Sequence, residues 1–101
     1  MKFSVYFISD AEDDILDIYQ YIARNDSVEK AEYVLNKLEE SCTSLQSHAY
    51  RGHVPLELER INIREYLEIH FKPYRIIYQI SGTKVFIHCV LDGRRNMEDL
   101  L

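Results

Sequence analysis

A chain of 101 residues with 47% hydrophobic side chains makes one domain with one modest core. It holds no apolar run near the roughly 18 residues a membrane helix needs. Its formal net charge of −5 argues against tight, nonspecific nucleic-acid binding, which rests on neutralising phosphates; yet residues 51–101 hold eight Lys/Arg against seven Asp/Glu, so a local basic site stays open there.

Lys2–Ile8 (KFSVYFI) alternates partly and is rich in β formers, which predicts a first strand. The apolar stretch there is too short for a signal peptide and acids follow at once, so the expected location is cytoplasmic. Asp10 is read as the N-cap of a helix from Ala11 to Arg24, with Asp13 at the third helical position. Ala11, Ile15, Ile18, Tyr19 and Ile22 make its apolar stripe. Asp13, Asp14 and Asp17 suit the positive end of the dipole, and helical spacing spreads them over different faces. They read as a solvated helix start, not a metal site. Asn25-Asp26-Ser27 breaks the pattern and caps a second helix from Val28 to Ser47. Its stripe is Ala31, Val34, Leu35, Leu38, Cys42 and Leu45. The short connection predicts an antiparallel helical hairpin. His48–Arg64 holds Gly52 and Pro55 and little periodicity, so it predicts a loop with a short strand or extended piece. Arg51, Arg60 and Arg64 make it locally basic.

Glu65–Phe71 alternates again, with Leu67, Ile69 and Phe71 on one face and Tyr66, Glu68 and His70 on the other. Lys72-Pro73 marks a turn. Residues 71–95, FKPYRIIYQISGTKVFIHCVLDGRR, then read as two long antiparallel strands, an Asp-Gly break and an arginine pair. Gly82 opening a two-residue loop fits a type II′ turn, because glycine takes φ > 0 without strain. That loop pairs Ser81 with Lys84. It predicts an apolar face of Ile80/Val85, Tyr78/Ile87 and Ile76/Cys89, and an opposite face of Gln79/Phe86, Ile77/His88 and Arg75/Val90. The same register puts Arg75, His88 and Asp92 on the non-core face, the candidate working surface. After Arg95, Asn96 could cap a last helical turn ending at Leu101. Cys42 and Cys89 read as buried free thiols, and two cysteines alone make no metal site.

The elements run β-α-α-β-β-β. Helices grouped before hairpin-connected strands indicate an α+β domain. The helical hairpin should pack on one face of a mainly antiparallel sheet, with the N-terminal strand at an edge or between other strands.

This order, with PYRIIYQI at 73–80 and VLDGRRNMEDLL at 90–101, resembles the RelE/ParE toxin superfamily of bacterial type II toxin–antitoxin systems. The A-x-x-D-I-x-x-I-x-x-Y-I pattern (Ala11, Asp14, Ile15, Ile18, Tyr21, Ile22), Ala31 with spaced leucines, and Ile63-Arg64-Glu65 extend the likeness over nearly the whole chain. It implies a single RelE/ParE-like toxin domain over residues 1–101. RelE-type members cleave mRNA on the ribosome without a metal, using basic residues and often a C-terminal Tyr or His. ParE-type members keep the fold, lack that set and inhibit DNA gyrase.

Arg75 in PYRIIY and Arg95 in DGRR match arginines of the ribonuclease branch and would be catalytic if the chain were a nuclease. The strand that carries two lysines in the RelE pattern here offers Tyr66 and Glu68, and no C-terminal catalytic aromatic matches before Leu101. Cations supply much of the stabilisation of a phosphate transition state, and Glu68 on that face would oppose it. Losing a general acid or base typically costs about 10²–10⁴ in rate.

The resemblance therefore implies the ParE branch: a growth-arresting, plasmid-stabilising toxin that binds DNA gyrase by protein–protein contact. A cognate antitoxin would hold it in a hetero-oligomeric toxin–antitoxin complex. No direct specific nucleic-acid binding, membrane partner, cofactor or metal is expected. The implied target-binding residues are Arg75, Asp92, Arg94, Arg95, Asn96 and Glu98. The alternatives are a ribosome-dependent mRNA endoribonuclease and a toxin-fold protein that only binds its antitoxin. Plainer readings stand beside these: Arg75 as a strand arginine paired with Glu68 or Asp92, Arg94 and Arg95 as a solvated pair, and His70 and His88 as ordinary strand histidines. Tyr19, Tyr21, Tyr33 and Tyr78 read as core or core-edge.

Overall fold

A computed structural model of the chain describes residues 2–94. Strand β1 (Ser4–Phe7) leads into helices α1 (Ser9–Asn25) and α2 (Val28–Thr43). A short helix α3 (Leu56–Arg60) precedes strands β2 (Leu67–Phe71), β3 (Tyr74–Ser81) and β4 (Lys84–Asp92). The sheet order is β1-β4-β3-β2, so the first strand lies at an edge, parallel to β4, while the last three strands are antiparallel. This is the expected α+β arrangement. No helix among the described residues is long and apolar enough to cross a membrane.

Helix α1 starts two residues earlier than its sequence suggests. Ile8 N–H bonds to the Ile87 carbonyl at 3.1 Å, and the Ile8 carbonyl accepts Glu12 N–H at 3.1 Å. The strand ladder thus hands the chain straight to the helix, and Ile8 occupies the N-cap position without a side-chain bond. Asp10 is not the cap. It lies in the first turn, where its charge still meets the positive end of the dipole. Helix α2 is capped as expected, with Ser27 Oγ accepting Lys30 N–H at 3.0 Å. It ends at Thr43 and tightens into a 3₁₀ turn at Ser44–Gln46.

The core joins Ala11, Val34, Leu38, Cys42 and Leu45 to Ile69, Tyr74, Ile76, Tyr78, Val85, Ile87 and Val90. Burying each large aliphatic side chain among these contributes about 1.5–3 kcal/mol. Tyr78 is fully buried; Tyr21 and Tyr33 are exposed, not core. The Tyr78 hydroxyl donates to the Ala49 carbonyl at 2.7 Å and accepts Gly52 N–H at 3.2 Å. These bonds tie the segment after α2 to the sheet. That segment holds the expected extended piece, as a β-bridge between His53 and Glu68, and beyond that expectation a 3₁₀ turn at Ala49–Arg51 and α3.

Gly82 has φ +60°, and Thr83 is not among the positive-φ residues, as a type II′ turn requires. The expected register holds from Ser81↔Lys84 to Tyr78↔Ile87 and then breaks at a bulge. Beyond it Ile77 faces Cys89, Ile76 faces Val90, Arg75 faces Leu91 and Tyr74 faces Asp92. The expected pairs Ile77/His88, Ile76/Cys89 and Arg75/Val90 are therefore corrected by one residue. The bulge falls where β1 stops pairing with β4. β1 pairs with β4 only from Ser4↔Lys84 to Phe7↔Ile87, after which α1 leaves the sheet. A bulge adds a residue to one strand and moves the residues beyond it to the opposite face. Asp92 consequently sits opposite Tyr74 on the helix-covered side.

Candidate functional site

The open face of the sheet carries a cluster centred on Arg75. The β2–β3 pairing sets Arg75 opposite His70, and Glu68 lies two residues from His70 on the same side of β2. Arg75 Nε and Nη2 donate to Glu68 Oε2 at 2.9 and 2.6 Å. Its Nη1 and Nη2 donate to Glu57 Oε2 and Oε1 at 2.7 and 2.9 Å. Four of the five guanidinium N–H groups are thus taken by two carboxylates. The side chains are well shielded: Arg75 is 12% exposed and Glu68 6%. Hydrogen bonding to Arg75 holds the Glu57 carboxyl below its ordinary range, and the Glu57 bond in turn raises the Arg75 pKa. His53 Nε2 and His70 Nε2 each lie 3.1 Å from Glu68 Oε1.

With the histidines neutral, one cation and two carboxylates leave this cluster at net −1. An arginine that serves a phosphate must aim free donors at it. Here the donors are committed, and a phosphodiester would meet excess negative charge. The arrangement suits a structural tie between α3, β2 and β3 better than anion binding.

The C-terminal end of β4 forms a second surface, on the other side of the sheet. Asp92 Oδ1 accepts Arg94 N–H and Nε–H at 2.9 Å each, and Oδ2 accepts Nη2–H at 2.6 Å. Beside this pair, Asp14, Asp17, Tyr21, Tyr33 and Tyr74 line an open groove between the helices and the sheet. Gly93 joins the two surfaces, donating its N–H to the Pro73 carbonyl at 2.6 Å. The expected trio of Arg75, His88 and Asp92 is not assembled. His88 shares the open face but sits 3.1 Å from Gln79 Oε1 and edge-on to Tyr66 at 5.2 Å. Asp92 is on the opposite face because of the bulge. Arg95, Asn96 and Glu98 lie outside the described residues.

Sequence reading missed Glu57 and His53 as members of the cluster. A signal for Glu57 was present. Pro55 followed by acids at 57 and 59 is a helix-start pattern inside the stretch read as loop. His53 had no such signal, since only its bridge to Glu68 brings it near.

The family described as ParE toxin of type II toxin–antitoxin system, parDE, matches residues 5–97. Among solved structures, the chain is similar to one from the chromosomal ParDE toxin–antitoxin system of P. aeruginosa. The TM-score is 0.73 at 18% identity, covering 88% of this chain and 94% of that one. It is also similar to a chain of the RelBE2 toxin–antitoxin complex from Mycobacterium tuberculosis. There the TM-score is 0.66 at 20% identity, covering 89% of this chain and 96% of that one. No curated protein matches. At these identities the structural likenesses show the fold.

Proposed function

Because the chain belongs to the ParE toxin family of type II toxin–antitoxin systems, we propose that it arrests growth by binding DNA gyrase and is neutralised by a cognate antitoxin. The observation that carries the gyrase reading over the nuclease reading is the state of Arg75. It is the described residue that matches an arginine of the ribonuclease branch, and two carboxylates hold it at 2.6–2.9 Å. A nuclease would need that guanidinium for the scissile phosphate, and it would need net positive charge around it. The cluster supplies the opposite sign. The antitoxin partner is supported by the two structural neighbours, both described as parts of toxin–antitoxin systems. Action in the cytoplasm, where gyrase works, is part of the proposal.

The target surface proposed is the exit of β4, Asp92 and Arg94 with Arg95, Asn96 and Glu98 after it. Arg75 enters only through its stem, which packs beside Gly93: a Cβ on Gly93 would lie 3.4 Å from Arg75 Cγ. The test is a pair of assays on the purified chain: DNA supercoiling by gyrase, and cleavage of ribosome-bound mRNA. Supercoiling should be inhibited and mRNA left intact. Deleting residues 96–101, or changing Arg94 and Arg95 to Ala, should abolish inhibition while the circular dichroism spectrum is unchanged. Cleavage of mRNA with no effect on supercoiling would overturn the reading.

A further inference from the structure

We propose that His53, Glu68 and His70 form a binding site for a divalent cation of the zinc type on the open face of the sheet. The three ligand atoms lie within 4.8 Å of one another, and Glu68 Oε1 is 3.1 Å from each histidine Nε2. Around a tetrahedral zinc with bonds of about 2.0–2.1 Å, neighbouring ligand atoms stand about 3.4 Å apart. Both carboxylate–imidazole separations are already close to that. Only the approach of the two imidazoles needs adjustment, and their side chains, 61% and 42% exposed, have room to turn.

The framework behind the ligands is firm. Glu68 and His70 are two residues apart on one side of β2. His53 is fixed by a two-bond bridge, in which the His53 N–H donates to the Glu68 carbonyl at 3.1 Å and the Glu68 N–H donates to the His53 carbonyl at 2.7 Å. The buried Glu68 carboxylate is oriented from behind, because Oε2 is held by Arg75 while Oε1 faces the imidazoles. A hydrogen bond to the far oxygen of a ligating carboxylate is the usual device for aiming it at a metal. Charge favours the cation too, since Glu57, Glu68 and Arg75 sum to −1. Two imidazole nitrogens and one carboxylate oxygen select zinc or a neighbouring transition ion over calcium or magnesium, which prefer oxygen. Three protein ligands leave a coordination place for water. The sequence reading expected no metal, and the spacing of residues 53, 68 and 70 matches no short metal motif. The site is independent of the gyrase reading.

The experiment is a calorimetric titration of the chelator-treated, tag-free chain with zinc chloride, repeated with cobalt chloride to record the absorption spectrum. One ion should bind per chain. His53→Ala and His70→Ala should each weaken binding by at least about tenfold, with unchanged circular dichroism. The cobalt spectrum should lack thiolate charge-transfer bands. Absence of saturable one-to-one binding overturns the proposal. So does undiminished binding in the His53→Ala/His70→Ala double variant, or a thiolate band placing the ion at Cys42 or Cys89.

Discussion

Asp14 on α1 reaches across to β4 and accepts the Val90 amide on Oδ2 at 3.0 Å. This side chain takes over where β1 stops: β1 has already turned into α1, and its pairing with β4 ends at Phe7↔Ile87. A buried N–H left alone would carry the full cost of losing water. Burial raises the Asp14 pKa above the ordinary 3.8, and the nearby Asp10, Asp17 and Asp13 add to the rise.

Asp14→Ala should therefore destabilise the fold by about 1–3 kcal/mol, because Val90 N–H loses its acceptor. Asp14→Asn keeps an acceptor and removes the charge. A raised native pKa means the stabilising contribution is complete below 3.8 and is lost as pH rises through the native value. The Asn variant should thus gain on the wild type as pH rises from below 3.8 to neutrality. Urea midpoints at both ends measure this. A loss at neutral pH would show that the carboxylate charge helps.

Glu57 carries the opposite sign. Its pKa is lowered, first by the Arg75 hydrogen bond, so its contribution is complete above the ordinary 4.5. That contribution is lost as pH falls below 4.5 and through the depressed native value. Wild type should lose stability in that window faster than Glu57→Gln. Parallel acid-unfolding curves would contradict the pairing.

Arg75→Ala leaves two carboxylates facing each other, one of them buried, and should cost about 3–5 kcal/mol. Loss of toxicity in that variant then reports unfolding before it reports catalysis. Thermal melts should accompany any assay of it, and a stable Arg75→Ala protein would show that the cluster is not a structural tie.

Gly52 is required for space. A Cβ there would sit 2.5 Å from Tyr78 Oη and 2.7 Å from the Glu68 carbonyl. Tyr78→Phe should cost about 1–3 kcal/mol by orphaning two backbone groups. Gly52→Ala should cost less in the Tyr78→Phe background than alone, because one of its two clashes is then gone. A double-mutant cycle with additive terms would refute this coupling.

Gly82 and Gly93 separate conformation from packing. At Gly82 φ is +60° and no atom lies within 4 Å of an added Cβ, so Gly82→Ala should cost about 1–3 kcal/mol through backbone strain alone. At Gly93 the Cβ would meet the Pro73 carbonyl at 2.6 Å. Gly93→Ala should shift the Asp92–Arg94 exit and so weaken target binding more than Gly82→Ala does, as competition binding would measure.

Periodicity and turn chemistry by themselves determined the four strands and two long helices, their order and the α+β class. Both are local, carried by the Ala31–Leu45 stripe, the Ser27 cap and the Gly82 turn. The hairpin register came from Gly82 as far as Tyr78 and Ile87, since a turn fixes pairing only until something interrupts the ladder. Only the tertiary structure decided where it is interrupted. Placing the bulge depends on where β1 stops and on Asp14 reaching Val90, a contact 76 positions apart in the chain. That one-residue shift sends Asp92 to the helix side and separates it from Arg75. The cluster around Arg75 was legible only in part. Its pairing with Glu68 was among the plainer readings of the strand, and the helix start before Glu57 is local. That Glu57 reaches Arg75 and His53 reaches Glu68 is decided by how the stretch after α2 packs on the sheet.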